Sequence, residues 1–227
     1  MNERRVRSFV RREGRMTPAQ SGALETLWPR YGLDYSAAPL DLDALFARRA
    51  PRTVEVGFGN GDALLALATE RPDEDFIGIE VHRPGAGSLL RRAAAAGLTN
   101  LRVSSHDAVE VLRDQLPPAS LDAIHLFFPD PWPKKRHHKR RIVQPEFVAL
   151  VADRLRDGGR FHLATDWEPY AEWMLEVLSG CTAFMNMDAE GAYSPRPETR
   201  PVTRFEQRGL RLGHSVRDLI FTRRARE

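Results

Sequence analysis

Cysteine is nearly absent from this chain of 227 residues, because Cys181 is the single one. A single cysteine excludes a disulfide within the chain and a cysteine-based metal cluster. His125, His137 and His138 lack metal-ligand spacing to any other histidine or cysteine. We therefore expect no metal site.

Long apolar runs are also missing. No run approaches the roughly 20 residues that a membrane-spanning helix needs, and the N-terminus lacks the apolar region of a signal peptide. Six arginines between residues 4 and 15 could resemble a transit peptide, but Glu3 and Glu13 interrupt the pattern. We expect a cytoplasmic protein that does not bind membranes.

Lysine is scarce and unevenly placed, since all three lysines lie between residues 134 and 141. The net charge is only +3, but the charge is unevenly distributed. Positive blocks lie at residues 4–15 and 134–141. The first block suits a solvated tail and an RNA contact equally well. The second block follows a buried strand and a rigid loop with three prolines. Its position beside a lone carboxylate, Asp130, predicts chemistry on a polyanion.

Short apolar runs alternate with helical patterns along residues 53–222. This alternation predicts an α/β domain with a largely parallel sheet that helices cover on both faces. We assign residues 1–35 to a basic, flexible N-terminal extension and residues 36–227 to a single domain. The expected strands are 53–56, 75–81, 101–104, 121–128, 160–165, 184–187 and 216–222. The expected helices are 40–50, 62–70, 84–96, 108–116, 145–156 (ending at Gly158 and Gly159) and 169–179.

Five acidic residues follow or end successive strands of this predicted sheet. Ligands of such sheets bind outside the carboxyl ends of the strands, so these acids are the candidate site. Asp107 and Asp166 could also be simple helix caps. The five are Glu55, Glu80, Asp107, Asp130 and Asp166.

The glycine-rich turn at residues 57–61 lets a ligand approach the backbone closely. Its spacing departs from the dinucleotide fingerprint, and Asp62 stands where a phosphate-binding loop needs lysine. Glu80, about 20 residues further on, suits the ribose hydroxyls of either a nicotinamide cofactor or S-adenosylmethionine. Glu55 favours S-adenosylmethionine, because it would repel a pyrophosphate and attract a sulfonium or an ammonium group. Asp107 could reach the adenine amine.

Five segments then resemble the TrmB family of bacterial tRNA (guanine-N7-)-methyltransferases, and the resemblance covers nearly all of residues 53–222. The segment at residues 129–135 is the most specific of the five. The matching segments are Val54-Glu55-Val56-Gly57-Phe58-Gly59-Asn60-Gly61, Gly78-Ile79-Glu80-Val81-His82, Pro129-Asp130-Pro131-Trp132-Pro133-Lys134-Lys135-Arg136-His137, Thr165-Asp166, and Thr203-Arg204-Phe205-Glu206.

The resemblance implies a class I (Rossmann-like) methyltransferase fold, with a mostly parallel seven-stranded sheet and a final antiparallel strand. It implies methyl transfer from S-adenosylmethionine to N7 of a guanosine in the tRNA variable loop. The expected site has four parts: Asp130 as the catalytic residue; Glu55, Gly57, Gly59, Glu80, Asp107 and Asp130 for the cofactor; Lys134, Asp166, Thr203, Arg204, Phe205 and Glu206 for the substrate; and Arg136, His137, His138, Lys139, Arg140 and Arg141 for RNA.

The chemistry of N7 shapes the expected mechanism. N7 of guanine has an in-plane lone pair, so no base is needed to create the nucleophile. We expect Asp130 to orient the guanine and to stabilise the positive charge that develops on the ring. Asp166 would hold a donor edge of the same base.

Three other functions fit parts of the pattern. The Asp-Pro-Trp segment after the fourth strand resembles the loop of enzymes that methylate exocyclic amines. A nicotinamide-dependent oxidoreductase would use the same sheet, although Glu55 and the missing third glycine disfavour it. A non-catalytic RNA-binding protein would be expected to have lost its cofactor-site acids, and here all are present. Either a monomer or a homodimer is compatible with the sequence.

Overall fold

The computed structural model describes residues 7–9, 15–203, 206, 207, 209, 213 and 215–226. Within them no helix is long and apolar enough to cross a membrane. The helices are α1 (Pro18–Thr26), α2 (Trp28–Tyr31), α3 (Leu42–Phe46), α4 (Asp62–Glu70), α5 (Arg83–Ala95), α6 (Ala108–Glu110), α7 (Pro145–Arg154) and α8 (Glu168–Ser179). The strands are β1 (Gly32–Leu33), β2 (Arg52–Val56), β3 (Asp75–Ile79), β4 (Leu101–Ser104), β5 (Leu121–Phe127), β6 (Leu155–Thr165), β7 (Phe184–Asn186) and β8 (Arg217–Arg223).

The strands form one sheet in the order β1-β4-β3-β2-β5-β6-β8-β7. β1 to β6 pair in parallel, whereas β8 is antiparallel to both β6 and β7. The predicted parallel sheet with an antiparallel closing strand is therefore confirmed. The carboxyl ends of the parallel strands share one edge of the sheet. Four of the candidate acids follow those ends, and Glu55 is the penultimate residue of β2.

Successive side chains of a strand point to opposite faces of the sheet, and each face has its own apolar core. On β3, Phe76 packs with Leu64 of α4 and Leu89 of α5. Its neighbour Ile77 packs in the other core, which contains Met174 of α8. All five side chains are essentially solvent-free, and burying each contributes about 1.5–3 kcal/mol. These two cores hold the strand ends in place.

Several boundaries differ from the sequence prediction, and two of these differences have a clear packing reason. Residues 18–33, expected within an irregular extension, form α1, α2 and β1, which pairs with β4 as an eighth strand. Tyr31 explains this, because its ring is fully buried and its hydroxyl donates to the Leu98 carbonyl oxygen at 2.9 Å. Helix α7 ends at Arg154 rather than near Gly158, because the buried Leu155 already pairs with β5.

The start of α5 touches the glycine-rich turn directly. A side chain at Gly85 would place its Cβ 2.0 Å from the carbonyl oxygen of Gly59. A side chain at Gly87 would meet the backbone of Gln20 in α1 at 2.6 Å. The two glycines therefore let α5 press against both α1 and the turn, which fixes the turn at the end of β2.

Candidate active site

A cleft of about 240 Å³ opens at the carboxyl ends of β2, β3 and β5. The glycine-rich turn, the end of β3 and the turn after β5 contribute its walls. Ser8 and Phe9 of the N-terminal segment also line it, which the sequence did not indicate. Residues that line the cleft include Gly57, Glu80, His106, Phe127, Phe128 and Asp130.

Two glutamates below the cleft have very different surroundings. The Glu80 carboxylate accepts the backbone N–H groups of Gly59 and His82, both at 2.8 Å, and so links the glycine-rich turn to the end of β3. Glu55 is only 3% exposed, and its Oε2 has no hydrogen-bond partner. Burial, and then the charge of Glu80, raise the pKa of Glu55 to about 8. Glu55 is thus a buried acid that lacks a cation.

The glycine-rich turn leaves room for a ligand. Gly57 and Gly59 have φ of +73° and +58°, and a Cβ at either position would meet no atom within 4 Å. Together with the uncompensated carboxyl of Glu55, this open backbone fits S-adenosylmethionine, whose ammonium and sulfonium groups are cationic. A phosphate-bearing cofactor would meet the carboxylates of Glu55 and Glu80 instead.

Asp107 lies at the edge of this arrangement. Its Oδ1 accepts the backbone N–H of Val109 at 3.0 Å, so it caps α6 as one of the two sequence interpretations proposed. It lines a second cavity of about 200 Å³, beside Arg140 and Arg141, rather than the cleft itself. Its neighbour His106 lines the cleft and stacks on Tyr35, with ring centroids 3.8 Å apart.

The turn that carries Asp130 has an unusual backbone. Phe128 and Trp132 have φ of +52° and +43°, a region that side chains rarely adopt. The Trp132 indole donates to the Ser8 carbonyl oxygen at 3.1 Å, and Arg141 Nε donates to the Pro131 carbonyl oxygen at 3.0 Å. These contacts hold the exposed Asp130 at the mouth of the cleft.

The basic tract divides into an exposed and a buried part. Lys135–Arg140 forms a 3-10 helix whose first residues face solvent. Arg141 needs a correction, because it is only 4% exposed and stacks on the Tyr170 ring at 4.8 Å. Its guanidinium donates to the Pro131 and Pro169 carbonyl oxygens inside the protein, so we assign the RNA contact to the exposed cations of the tract. Exposed cations of the tract are Lys134, Lys135, Arg136 and Lys139.

The aromatic and histidine side chains of the tract support its shape. Arg140 lies over the Trp132 ring at 5.0 Å, and His137 meets the same ring edge-on at 5.9 Å. His138 Nε2 lies 3.2 Å from Arg141 Nη2. The tract is therefore a packed part of the Asp130 turn.

The residues expected to bind the substrate are spread over two regions. Asp166 directly follows β6, on the edge that also carries Asp130. Thr203 Oγ1 accepts the backbone N–H of Glu206 at 3.1 Å, and Glu206 is only 3% exposed. Arg204 and Phe205 lie outside the described residues.

Comparison with known proteins agrees with this geometry. A family model described as "Putative methyltransferase" matches residues 49–219. A tRNA (guanine-N(7)-)-methyltransferase of Yersinia pestis (strain Pestoides F) is 57% identical over 221 residues, which cover 97% of this chain and 92% of the relative. A tRNA (guanine-N(7)-)-methyltransferase of Aeromonas hydrophila is 59% identical over 220 residues, covering 97% and 93%.

Solved structures share the fold at low sequence identity. The 16S rRNA methyltransferase KamB superposes with a TM-score of 0.58 at 17% identity, over 94% of this chain and 97% of KamB. At this identity the likeness supports the architecture alone. It agrees with the class I methyltransferase fold that the resemblance implied.

Proposed function

The chain belongs to the family of tRNA (guanine-N7-)-methyltransferases, and we propose that it methylates N7 of a guanosine in the variable loop of tRNA. S-adenosylmethionine is the methyl donor. The observation that carries the proposal is the cleft at the strand ends, which Gly57, Glu80 and the exposed Asp130 line next to the buried Glu55 of β2. Because tRNA is the substrate, we propose that the enzyme acts in the cytoplasm. It would act there as a monomer or as a homodimer.

S-adenosylmethionine, when bound, supplies an electrophilic methyl group. Glu55 and Glu80 hold the cationic and ribose parts of the cofactor, and the open backbone at Gly57 and Gly59 lets it lie close to β2. Asp107, which follows β4, would take the exocyclic amine of the adenine. Burial raises the pKa of Glu55 to about 8, so a bound cation would favour its ionisation.

Asp130 acts on the nucleophile. The N7 lone pair attacks the methyl carbon without prior deprotonation, so the purine ring becomes positively charged as the bond forms. A carboxylate at the mouth of the cleft stabilises that charge and orients the base. Asp166, at the end of the neighbouring strand, holds the donor edge of guanine.

RNA lies over the exposed cations of residues 134–139. Lys134 directly precedes the 3-10 helix and is exposed, so it can meet a phosphate beside the target base. The Asp130 turn and the basic residues belong to one packed unit, which positions base and backbone together. This is the arrangement that a base displaced from a folded RNA requires.

The test is methyl transfer from labelled S-adenosylmethionine into unmodified tRNA, with the product mapped by chemical cleavage at 7-methylguanosine. We expect label at a variable-loop guanosine. Asp130→Asn should lower kcat by about 100-fold, the loss typical of removing one group that stabilises transition-state charge. Asp73→Asn, in an exposed turn before β3, is the matched control and should retain wild-type rates.

Three outcomes contradict the proposal in different ways. Label on an exocyclic amine would keep the fold and cofactor but change the reaction. Binding of cofactor and tRNA without label would favour an RNA-binding protein. Full activity of Asp130→Asn would leave N7 methylation intact and remove Asp130 from its proposed role.

A further inference from the structure

One part of the sheet is covered by an arginine and its carboxylate partner. Glu55, His125 and His162 are register partners on β2, β5 and β6, so they point to the same face as the core with α4 and α5. Over β5 and β8 that face is met from a segment that includes Arg200 and Glu206. The contacts between this segment and the sheet centre on Arg200.

Arg200 is buried among carboxylates. Its side chain is 1% exposed, and its two terminal nitrogens donate to the two oxygens of Glu206 at 2.6 and 2.8 Å. Nη2 also donates to Asp218 Oδ2 of β8 at 3.1 Å. Asp218 Oδ1 is in turn hydrogen-bonded to His162 Nε2 at 2.7 Å. One guanidinium therefore joins the segment to two strands.

Glu206 uses its carboxylate in an unusual way for its sequence context. Thr203 and Glu206 have the spacing of a helix capping box, and Thr203 Oγ1 does accept the Glu206 N–H. In a complete capping box the glutamate would return to the backbone of Thr203. Here both of its oxygens are held by Arg200 instead. The start of this helical turn is thereby fixed by Arg200.

The same guanidinium reaches the active site. Its central carbon lies 5.8 Å from the ring centroid of Phe127 and 5.9 Å from that of Phe128. Both rings line the cleft, and Phe128 carries the strained backbone that leads through Pro129 into Asp130. Cation–π contacts of this kind are strongest away from water.

We propose that Arg200 is a positioning residue, which fixes the tRNA-binding segment beginning at Thr203 against the Asp130 turn by joining Glu206, Asp218 and the Phe127–Phe128 rings. This inference rests on the proposed function for its substrate. Arg200 does not touch the reacting atoms, and its effect is on the relative placement of guanine and Asp130. Lysine cannot replace it, because a point charge cannot bind two carboxylates as a planar fork does.

A matched control exists at the opposite edge of the sheet. Arg48 pairs with Asp75, whose side chain is fully buried at the start of β3, through Nε at 2.9 Å and Nη2 at 2.6 Å. Arg48→Lys removes a guanidinium whose two nitrogens bind one oxygen of a buried carboxylate, at the edge away from the cleft. It separates a general loss of packing from a loss of positioning.

The experiment compares Arg200→Lys, Arg48→Lys and the wild type as full-length folded proteins. Steady-state rates with varied tRNA at saturating S-adenosylmethionine give kcat and KM, and amide hydrogen exchange reports on residues 200–207. We expect Arg200→Lys to lower kcat/KM for tRNA by about 100-fold, the loss that a misplacement of about 1 Å produces. Its cofactor affinity should not change, and exchange in residues 200–207 should accelerate. Arg48→Lys should change none of these.

Wild-type kcat/KM in Arg200→Lys, or a loss no greater than in Arg48→Lys, would overturn the inference. So would unaltered exchange in residues 200–207. If Arg200→Lys fails to fold, Glu206→Gln provides the second variant, because it keeps the volume of the side chain and weakens only the fork. It should show the same pattern with a smaller loss of kcat/KM. Wild-type protein that does not methylate N7 would instead refute the proposed function, whereas the exchange result would still decide the role of Arg200.

Discussion

Two buried arginines contact the turn that carries Asp130 or the strand that leads into it, and their partners differ. Arg141 holds the turn through main-chain oxygens, with Nε donating to the Pro131 carbonyl at 3.0 Å. Arg200 holds the neighbouring segment through the carboxylates of Glu206 and Asp218. Arg141 is 4% exposed and Arg200 2%, so burial does not distinguish them.

The difference lies in how the charge is balanced. Burial lowers the pKa of Arg141, because neutral carbonyl groups only partly replace water around the cation. Burial also acts to lower the pKa of Arg200, but the hydrogen bonds to Glu206 and the attraction of Asp218 outweigh it and raise the pKa. Removing Arg141 leaves unpaired carbonyls, whereas removing Arg200 leaves two buried carboxylates facing each other. Removing Arg200 should therefore lower the free energy of unfolding far more than removing Arg141.

The largest expected effect is on Arg200→Met. This change leaves two uncompensated buried acids, so we expect the free energy of unfolding at neutral pH to fall by about 3–5 kcal/mol. Urea unfolding followed by circular dichroism measures it. The difference between the two arginines would be contradicted if Arg200→Met lowered the free energy of unfolding no more than Arg141→Met does.

Glu55 extends the comparison to a buried acid without an arginine. Its pKa of about 8 exceeds the unfolded value of 4.5, so the folded protein keeps a proton that the unfolded chain releases. Stability of the cofactor-free protein should therefore fall as pH rises from about 5 to about 8. Glu55→Gln removes this titrating group. The difference in unfolding free energy between wild type and variant should therefore change by about 1.4 kcal/mol for each pH unit.

Unfolding of both proteins in urea across this pH range is the measurement. Parallel pH curves for wild type and Glu55→Gln would contradict the raised pKa. Cofactor affinity provides a second readout, because a neutral amide at position 55 should bind the cationic cofactor more weakly at every pH.

Arg141→Met should change the free energy of unfolding less than Arg200→Met or Glu55→Gln does. It removes the donors to the carbonyl oxygens of Pro131 and Pro169, and an unsatisfied buried acceptor costs about 1–3 kcal/mol. We expect that loss in the free energy of unfolding. The dependence of tRNA affinity on salt should stay as in wild type, because Arg141 is not on the surface. A flatter salt dependence would return Arg141 to the RNA interface.

For the exposed part of the tract we expect the opposite result to that of Arg141→Met, with unchanged stability and a changed salt dependence of tRNA binding. Changing both Lys135 and Arg136 to Gln should leave stability unaltered, because both side chains face solvent. The slope of log affinity for tRNA against log salt should decrease in magnitude by about 1.8 if both meet phosphates of a duplex. An unchanged slope would remove this part of the tract from the interface.

Contiguous features were predictable from the sequence. The strand–helix alternation gave α4 at residues 62–70 and β4 at residues 101–104 with the boundaries that the structure has. The glycine-rich turn and Glu80 are also linked in the structure, through the hydrogen bond from the Gly59 N–H. Such features depend on neighbours within a few residues or on the fixed geometry of parallel strands.

Distant contacts were not predictable in this way. The basic tract contains six lysine and arginine residues that the sequence does not distinguish, yet Arg141 is buried against Tyr170 of α8. Ser8 meets Trp132 across 124 positions of the chain, and no local pattern marks that pair. A weak signal existed for Arg200, because it lies three residues before Thr203 in a segment that also contains Glu206.

The sequence alone determined the parallel sheet, the edge at which the acids gather and the cationic character of the cofactor, because periodicity and residue chemistry are local properties. Tertiary structure alone decided which charges face solvent and which are internal. The reason is physical: an arginine is a surface contact or a buried link according to the carbonyls and carboxylates that packing brings within about 3 Å. Arg136, Arg141 and Arg200 are identical in the sequence and distinct only in the fold.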